Sequence, residues 1–391
     1  QKGVYDPLGA RTFNRRDIMF DPSTASYFIN PVHVALSRKT VSLINPATLD
    51  KVGVYGAPDG ALIDRILTRV NAAQAGWAAT DCKSRAKVLH RIADAIEHSD
   101  MTQVARLMTL ETGKPYPESI GEIANIPAVF RYFAELARHD AGKIAGPMQP
   151  GSFQYQTYEP YGVSVHIVPY NFPLILGCWT IAASLAAGNG VVLKASPAGT
   201  LCTMEFMQYF SALPDDLIAC LPGDGAVGKH LIDSKLTHAV AFTGSVPTGR
   251  AVAVAAAQQM KPAVIEAGGS DPCIISSHAD IDVAAAGVVT AAFLQSGQVC
   301  TSTERVYVVG DVHDQFVAAL VKRAQQLRIG NGLDVAEIGP LVSKPARDKV
   351  IALVHDAVRK GAKVALGGHI PPNMDKGWFL SLIHISEPTR H

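Results

Sequence analysis

The stretch HAVAFTGSVPTGRAVAVAAAQQ, His238 to Gln259, decides the fold. HAVAFTGS is an apolar run that reads as a strand, and GRAVAVAAAQQ reads as a helix. The turn FTGSVPTG joins them. A helix that opens directly after a strand aims its first free N–H groups past the strand end, so Ser245 and its neighbours suit a pyrophosphate. A plain helix cap by the Ser245 hydroxyl explains the same residues. Both readings require strand, turn and helix in that order.

The same alternation runs upstream. GVSVHIV leads to an apolar helix over Leu174–Ala187, then GVVLKAS, CTMEFMQYFSAL, DLIACLPG and a helix through KHLI. Strands separated by helices of this length predict a parallel, doubly wound sheet. A second β/α set is expected to begin at AVIEAGG and PCIISS. It continues through a helix near Ala284–Phe293, the strand RVYVVG, and helices near Phe316–Leu327 and Ala346–Lys360. Before the alternation, LIDRILTRVNAAQAGW and SRAKVLHRIADAIEHSD place apolar residues three and four apart, one core-facing stripe each. YQTYEPY, Tyr155 to Tyr161, reads as a short strand or arm.

Composition narrows the classes. Of 391 residues, 48% are hydrophobic and 18% charged, which fits a large buried core and not a disordered chain. A net charge of +1 offers no electrostatic case for nucleic acid or a membrane surface. The uncharged run Pro160–Leu193 is broken by Pro169, Pro173 and the Gly188-Asn189-Gly190 turn, so it does not read as a membrane span. The six cysteines form no C-x-x-C pair and no zinc-spaced cluster, so a metal is not expected and a reduced, cytoplasmic protein is.

Several residues carry chemistry, each with a bland alternative. In FLQSGQVCTSTERV, Cys300 follows closely on Gly297-Gln298; it is either a free nucleophile or a small core residue. An unperturbed thiol is only about 3% thiolate at pH 7, so a nucleophile needs activation. Glu266 in VIEAGGSDP ends an apolar strand beside Gly268-Gly269, as a general base or as a solvated strand-end charge. Asn171 in IVPYNFPL sits between two prolines, as an oxyanion donor or a turn residue. GDGAVGKH at Gly223 satisfies part of a phosphate loop with Lys229, but His230 stands where the motif needs Ser or Thr. That leaves a phosphotransferase as one alternative class, with a tight strand-to-helix turn as the bland explanation.

VPYNFP, LKAS, FTGSVPTG, IEAGGSDP and FLQSGQVC occur in the order found in the aldehyde dehydrogenase superfamily, which this chain resembles from about Ile44 to Phe379. The 34 residues from Glu266 to Cys300 also resemble that family's base-to-nucleophile spacing. The resemblance implies an α/β fold with a Rossmann-type cofactor domain over 19–139 and 160–264. It also implies an oligomerisation arm over 140–159 and a second α/β catalytic domain over 265–379, incomplete here. By resemblance Cys300 attacks an aldehyde to give a thiohemiacetal, and Asn171 with the Cys300 N–H stabilises the oxyanion. The nicotinamide takes the hydride, and Glu266 activates the water that releases the acid from the thioester. Lys194, Ser245, Gly244, Gly249, Tyr170 and Gly268 are implied as contacts of NAD or NADP, and a homodimer or homotetramer is expected.

Departures matter. The family's KPSE box reads KASP, so Pro197 replaces a carboxylate that would repel a 2′-phosphate; NADP is open beside NAD. Ser270 and Ser302 also depart from the usual pattern. Trp179 occupies a pocket position where succinate-semialdehyde enzymes tend to carry Arg. It fits an apolar aldehyde, a small hydroxyaldehyde or a cationic one such as betaine aldehyde, unless it is core packing. A non-catalytic binding or structural protein on the same fold is the remaining alternative class.

Both ends read as foreign. LSLIHISEPTR resembles a translated sequencing adaptor, so 380–391 is set aside, and 1–18 reads as a leader before Met19. The chain as written is therefore expected to lack the end of the catalytic domain, to leave an open sheet edge, and to be inactive.

Overall fold

A computed structural model describes residues 23, 26–35, 40–139, 142–146 and 148–381, together with the backbone of three short strands, Val4–Tyr5, Thr12–Phe13 and His384–Ser386. The chain divides into two compact units. One comprises Gln1–Val41, Gly53–Val104 and Gly121–Glu266; the other comprises Ser42–Val52, Ala105–Ile120 and Ala267–His391. The second unit thus takes in Ser42–Val52 and Ala105–Ile120, stretches that the sequence-based division placed in the region before residue 139.

The first unit is built on a seven-stranded sheet. Its strands are β1 (Ser26–Ile29), β2 (Val32–Ala35), β3 (Val163–Ile167), β4 (Gly190–Lys194), β5 (Ile218–Leu221), β6 (Ala239–Gly244) and β7 (Ala263–Ala267). Their order is β7-β6-β3-β4-β5-β1-β2. The pairs β6·β3, β3·β4 and β4·β5 are parallel, and β1 joins β5 antiparallel. Strands β3, β4 and β5 are buried along their whole length, as strands covered on both faces must be. The AVIEAGG strand was expected to open the second β/α set. It is instead β7, the edge of this first sheet, because the short link after the preceding helix returns the chain beside β6.

Helices α1 (Gly60–Ala78) and α2 (Cys82–Glu97) start where an aspartate caps them. Asp59 accepts from the Leu62 N–H at 2.9 Å, and Asp81 from the Ser84 N–H at 2.9 Å. Each buries its apolar stripe, with Ile63, Ile66, Leu67 and Val70 on α1 and Leu89, Ile92 and Ile96 on α2. The apolar stretch after Pro173 forms α3 (Ile175–Ala186), which buries Leu176, Cys178, Ile181 and Leu185. Among the described residues no helix is long and apolar enough to cross a membrane. The expected arm is a hairpin of Lys143–Ala145 with Gln154–Gln156, and Ile144, Phe153 and Tyr155 on it are exposed.

One polar network is sealed inside this unit. The His166 Nε2 lies 2.9 Å from the Ser164 hydroxyl and its Nδ1 2.8 Å from the Thr180 hydroxyl. Burial pushes the His166 pKa down to about 3 and that of His33 down to about 4. Each imidazole stays neutral in the fold, whereas the unfolded chain takes up a proton below about pH 6.5. Stability is therefore expected to fall as pH drops below about 6.5, each such histidine contributing up to ~1.4 kcal/mol per pH unit. Thermal midpoints between pH 7 and pH 5 check this, and His166→Gln is expected to flatten the slope.

The second unit carries a parallel pair, β8 (Asp271–Ile275) with β9 (Thr303–Val308). Helices α4 (Ile281–Phe293) and α5 (His313–Ala324) pack beside it, burying Ala285, Val288, Phe316 and Leu320 in one core with Ile275 and Ile338. A further strand, Lys363–Leu366, pairs antiparallel with His384–Ser386, inside the segment set aside as adaptor. The other residues of 382–391, and most of the expected leader 1–18 with Met19, lie outside the described residues.

Candidate active site

The deciding turn forms as expected. Ser245 caps the helix Val246–Gln258, its hydroxyl 2.9 Å from that of Thr248 and accepting from the Thr248 N–H at 3.5 Å. The glycines have a packing reason. A Cβ on Gly244 would lie 2.7 Å from the Phe242 ring, and one on Gly249 3.1 Å from Ile265 and from that ring. The hydroxyl and the helix N-terminus remain exposed at the end of β6.

Lys194 ends β4 in a buried position. Its Nζ donates to the carbonyls of Ala195 at 2.9 Å and Gly223 at 3.2 Å. Burial pushes its pKa down to about 8, against the pull of Cys220 and Asp224. Exposed Pro197 follows, opening a short 3₁₀ turn.

GDGAVGKH takes its bland form. The helix Gly225–Asp233 is capped by Asp224, whose carboxylate accepts from the Ala226 N–H at 2.9 Å, so a negative charge already sits where a phosphate would bind. Lys229 is paired with Asp233, and His230 contacts Asp64 at 2.8 Å. The phosphotransferase alternative falls on this geometry.

Tyr170 and Asn171 stand in the turn between β3 and α3, both half-buried. Burial pushes the Tyr170 hydroxyl up to about 12. A residue that sequence reasoning missed secures this turn. Glu122, buried on the helix Tyr116–Ala124, accepts from the N–H groups of Leu174 at 2.9 Å and Ile175 at 3.0 Å. The start of α3 has no side-chain cap of its own, so this distant carboxylate supplies one. The only sequence signal was an acidic residue on an amphipathic helix.

Trp179 on α3 is 50% exposed, which sets the core-packing alternative aside. With Ile175, Asn125, Val129, Tyr132 and Phe133 it lines an open pocket of about 670 Å³ within the first unit. Glu266 is exposed near the end of β7.

In the second unit the Cys300 loop begins where α4 stops. Gln295, Ser296 and Gly297 have φ of 52°, 58° and 74°, three successive left-handed residues. Left-handed backbone costs a non-glycine residue roughly 1–2 kcal/mol, so surrounding contacts must hold it. Those contacts are visible. The Gln295 N–H donates to Glu118 Oε2 at 2.9 Å, the Ser296 hydroxyl to the Gly339 carbonyl at 2.9 Å, and the Val342 N–H to Gln298 Oε1 at 3.1 Å. Cys300 itself is half-buried with a free thiol.

The Gly269 N–H donates to the Cys300 carbonyl at 3.2 Å, and a Cβ on Gly269 would approach that oxygen to 2.9 Å. This explains the second glycine of the pair sterically. Gly268 is exposed, and a Cβ there would meet nothing within 4 Å, so open space lies beside it. The Ser302 hydroxyl donates to the carbonyls of Ala291 and Ala292 at 3.3 Å, and the Ser270 carbonyl accepts from Arg305 at 3.3 Å. At both departures from the family pattern the visible contacts tie the chain to itself.

The structure therefore groups Gly244, Ser245 and Gly249 at one strand-to-helix turn, and Tyr170 and Asn171 at another, with Trp179 on the helix that follows. Lys194 lies against Gly223, and Cys300 against Gly269. A doubly wound sheet with exposed glycine-bearing turns at strand ends defines a nucleotide-dependent α/β enzyme class.

The family follows from comparison. The family model described as "Aldehyde dehydrogenase family" matches residues 33–389. The betaine aldehyde dehydrogenase of Bacillus subtilis is 34% identical over 363 residues, which cover 90% of this chain and 74% of that protein. The crystal structure of betaine aldehyde dehydrogenase from Staphylococcus aureus in complex with NAD⁺ superposes with a TM-score of 0.88 at 30% identity, over 93% of this chain and 74% of that one. PnpE in complex with nicotinamide adenine dinucleotide gives 0.88 at 29% identity, over 93% and 76%. The chain belongs to the aldehyde dehydrogenase family. It is an NAD(P)-dependent oxidoreductase acting on aldehydes.

Proposed function

We propose that the enzyme oxidises a small, non-acidic aldehyde to its carboxylic acid through a covalent bond to Cys300. The observation that carries this is the Cys300 loop: a half-buried free thiol behind a left-handed turn, its carbonyl held by the Gly269 N–H. The thiolate attacks the carbonyl carbon to form a thiohemiacetal, and the Asn171 amide with the Cys300 N–H stabilises the oxyanion. Bound NAD or NADP supplies the hydride acceptor. Glu266 then takes a proton from the water that attacks the Cys300 thioester, and the acid departs.

The coenzyme contacts follow from the chain's own groups. The exposed end of the helix Val246–Gln258, with Gly244, Ser245 and Gly249, suits a pyrophosphate. Lys194 uses two of its three N–H donors on carbonyls, and the third would donate to a ribose hydroxyl of a bound coenzyme. By the family resemblance, Tyr170 and Gly268 would each contribute a coenzyme contact. Pro197 itself supplies no carboxylate against a 2′-phosphate, which leaves NADP open beside NAD, with Asp224 the negative charge that acts on Lys194. The exposed apolar hairpin Lys143–Gln156 is the arm of a homodimer or homotetramer, and six free cysteines favour the cytoplasm.

Betaine aldehyde is the favoured substrate, on the names of the relatives and on Trp179 and Tyr132 in the open pocket, whose faces attract a quaternary ammonium. The test, on a chain extended to the length of its relatives, is reduced-nicotinamide absorbance with propanal or betaine aldehyde and either coenzyme. Trp179→Ala is expected to raise KM for betaine aldehyde about 5- to 30-fold and to leave propanal nearly unchanged. Equal losses for both aldehydes would remove the cation-binding role. No turnover with any pair would favour a binding protein on this fold.

A further inference from the structure

We propose that Glu118 is a positioning residue for the Cys300 loop, holding the left-handed run Gln295–Gly297 through the Gln295 N–H. This rests on the reading of Cys300 as the nucleophile.

The argument starts at the end of α4. The Leu294 N–H still finds a helical acceptor, the Thr290 carbonyl. The next N–H, that of Gln295, has turned left-handed and lost the helix acceptors, and Glu118 Oε2 takes it at 2.9 Å. The side chain of Gln295 does not fix the residue. Buried to 1% exposure, its amide makes no hydrogen bond among the described residues. The backbone contacts therefore set the turn, and Glu118 is the side chain that enters at its first residue. At the other end the Gln295 carbonyl accepts from the Gln298 N–H at 3.1 Å, so Gln295 is clamped through both its N–H and its carbonyl.

Glu118 is placed for this and not for solvent. Burial pushes its pKa up to about 7, while the Gln295 N–H and the nearby Lys114 charge draw it down. Lys114 is itself buried, on the segment that precedes Glu118. A carboxyl kept half-buried beside a buried lysine is costly to retain for packing alone. Its acceptor oxygen is the feature the loop uses.

The experiment compares Glu118→Ala, Glu118→Gln and Glu118→Met with wild type and Cys300→Ala. Glu118→Ala is expected to lower kcat about 10- to 100-fold, because a small displacement of the nucleophile suffices, with KM for aldehyde and coenzyme little changed. Peptide-resolved iodoacetamide labelling of Cys300 is expected to speed up relative to exposed Cys82, as the loosened loop uncovers the thiol. Glu118→Gln keeps an acceptor oxygen and is expected to restore most of kcat. Should the alanine variant fail to fold, Glu118→Met fills the volume without an acceptor and carries the same comparison with Gln. A folded Ala or Met variant with wild-type kcat and labelling overturns the inference, as does a Gln variant no better than Met. If Cys300→Ala keeps full activity, the nucleophile assignment fails separately, whatever Glu118 does.

Discussion

Cys300→Ala is expected to abolish aldehyde oxidation, lowering kcat by on the order of 10⁴-fold or more, since the proposed covalent intermediate forms on its thiol. Alanine fills the half-buried site without a new polar group, so the melting temperature is expected to stay within the shift of an ordinary surface change, about 0.5 kcal/mol. The two readouts together matter. Lost turnover in a protein that melts normally identifies the thiol as chemical. Retained turnover would move the nucleophile to one of the other five cysteines, of which Cys178, Cys202 and Cys220 are buried.

Glu266→Gln is expected to separate the two half-reactions. The amide preserves size but cannot take a proton from water, so hydrolysis slows by about 10²- to 10⁴-fold while acylation proceeds. A single burst of reduced coenzyme, one per active site, should precede a slow steady state. Mass spectrometry should find the acyl group on the Cys300 peptide. If burst and steady state vanish together, Glu266 acts earlier, on the thiol. If neither changes, another base serves, and exposed Glu266 is the strand-end charge that its position also allows.

Much of the architecture was legible because it rests on local periodicity. The helices at Gly60–Ala78 and Cys82–Glu97 each show one apolar stripe and an aspartate cap. The strand-turn-helix at His238–Gln259 carries its signals within a few residues, whereas the Tyr155–Tyr161 arm is a strand only over Gln154–Gln156, and its partner Lys143–Ala145 carries no such signal. The error at AVIEAGG has the opposite origin. An apolar strand looks the same whichever sheet it joins, and only pairing with β6 assigns it to the first. The phosphate-loop pattern, already weakened by His230, resolves as the tight strand-to-helix turn, with Asp224 capping the helix in a way that the glycine spacing does not reveal.

The amino-acid sequence by itself determined the α/β class, the alternation of strands and helices from Val163 to Gln258, and the family, through a set of motifs in a recognisable order, but not the strands Ser26–Ile29 and Val32–Ala35. It also identified Cys300, Glu266 and Asn171 as candidates, because rare combinations such as GQVC and YNFP carry information in adjacent residues. Only the tertiary structure decided what holds those candidates in place. Glu122 capping α3 and Glu118 gripping Gln295 act across 52 and 177 residues of chain. A buried N–H left without a helical partner must be satisfied by whatever the fold brings near, and that partner leaves no local trace in the sequence.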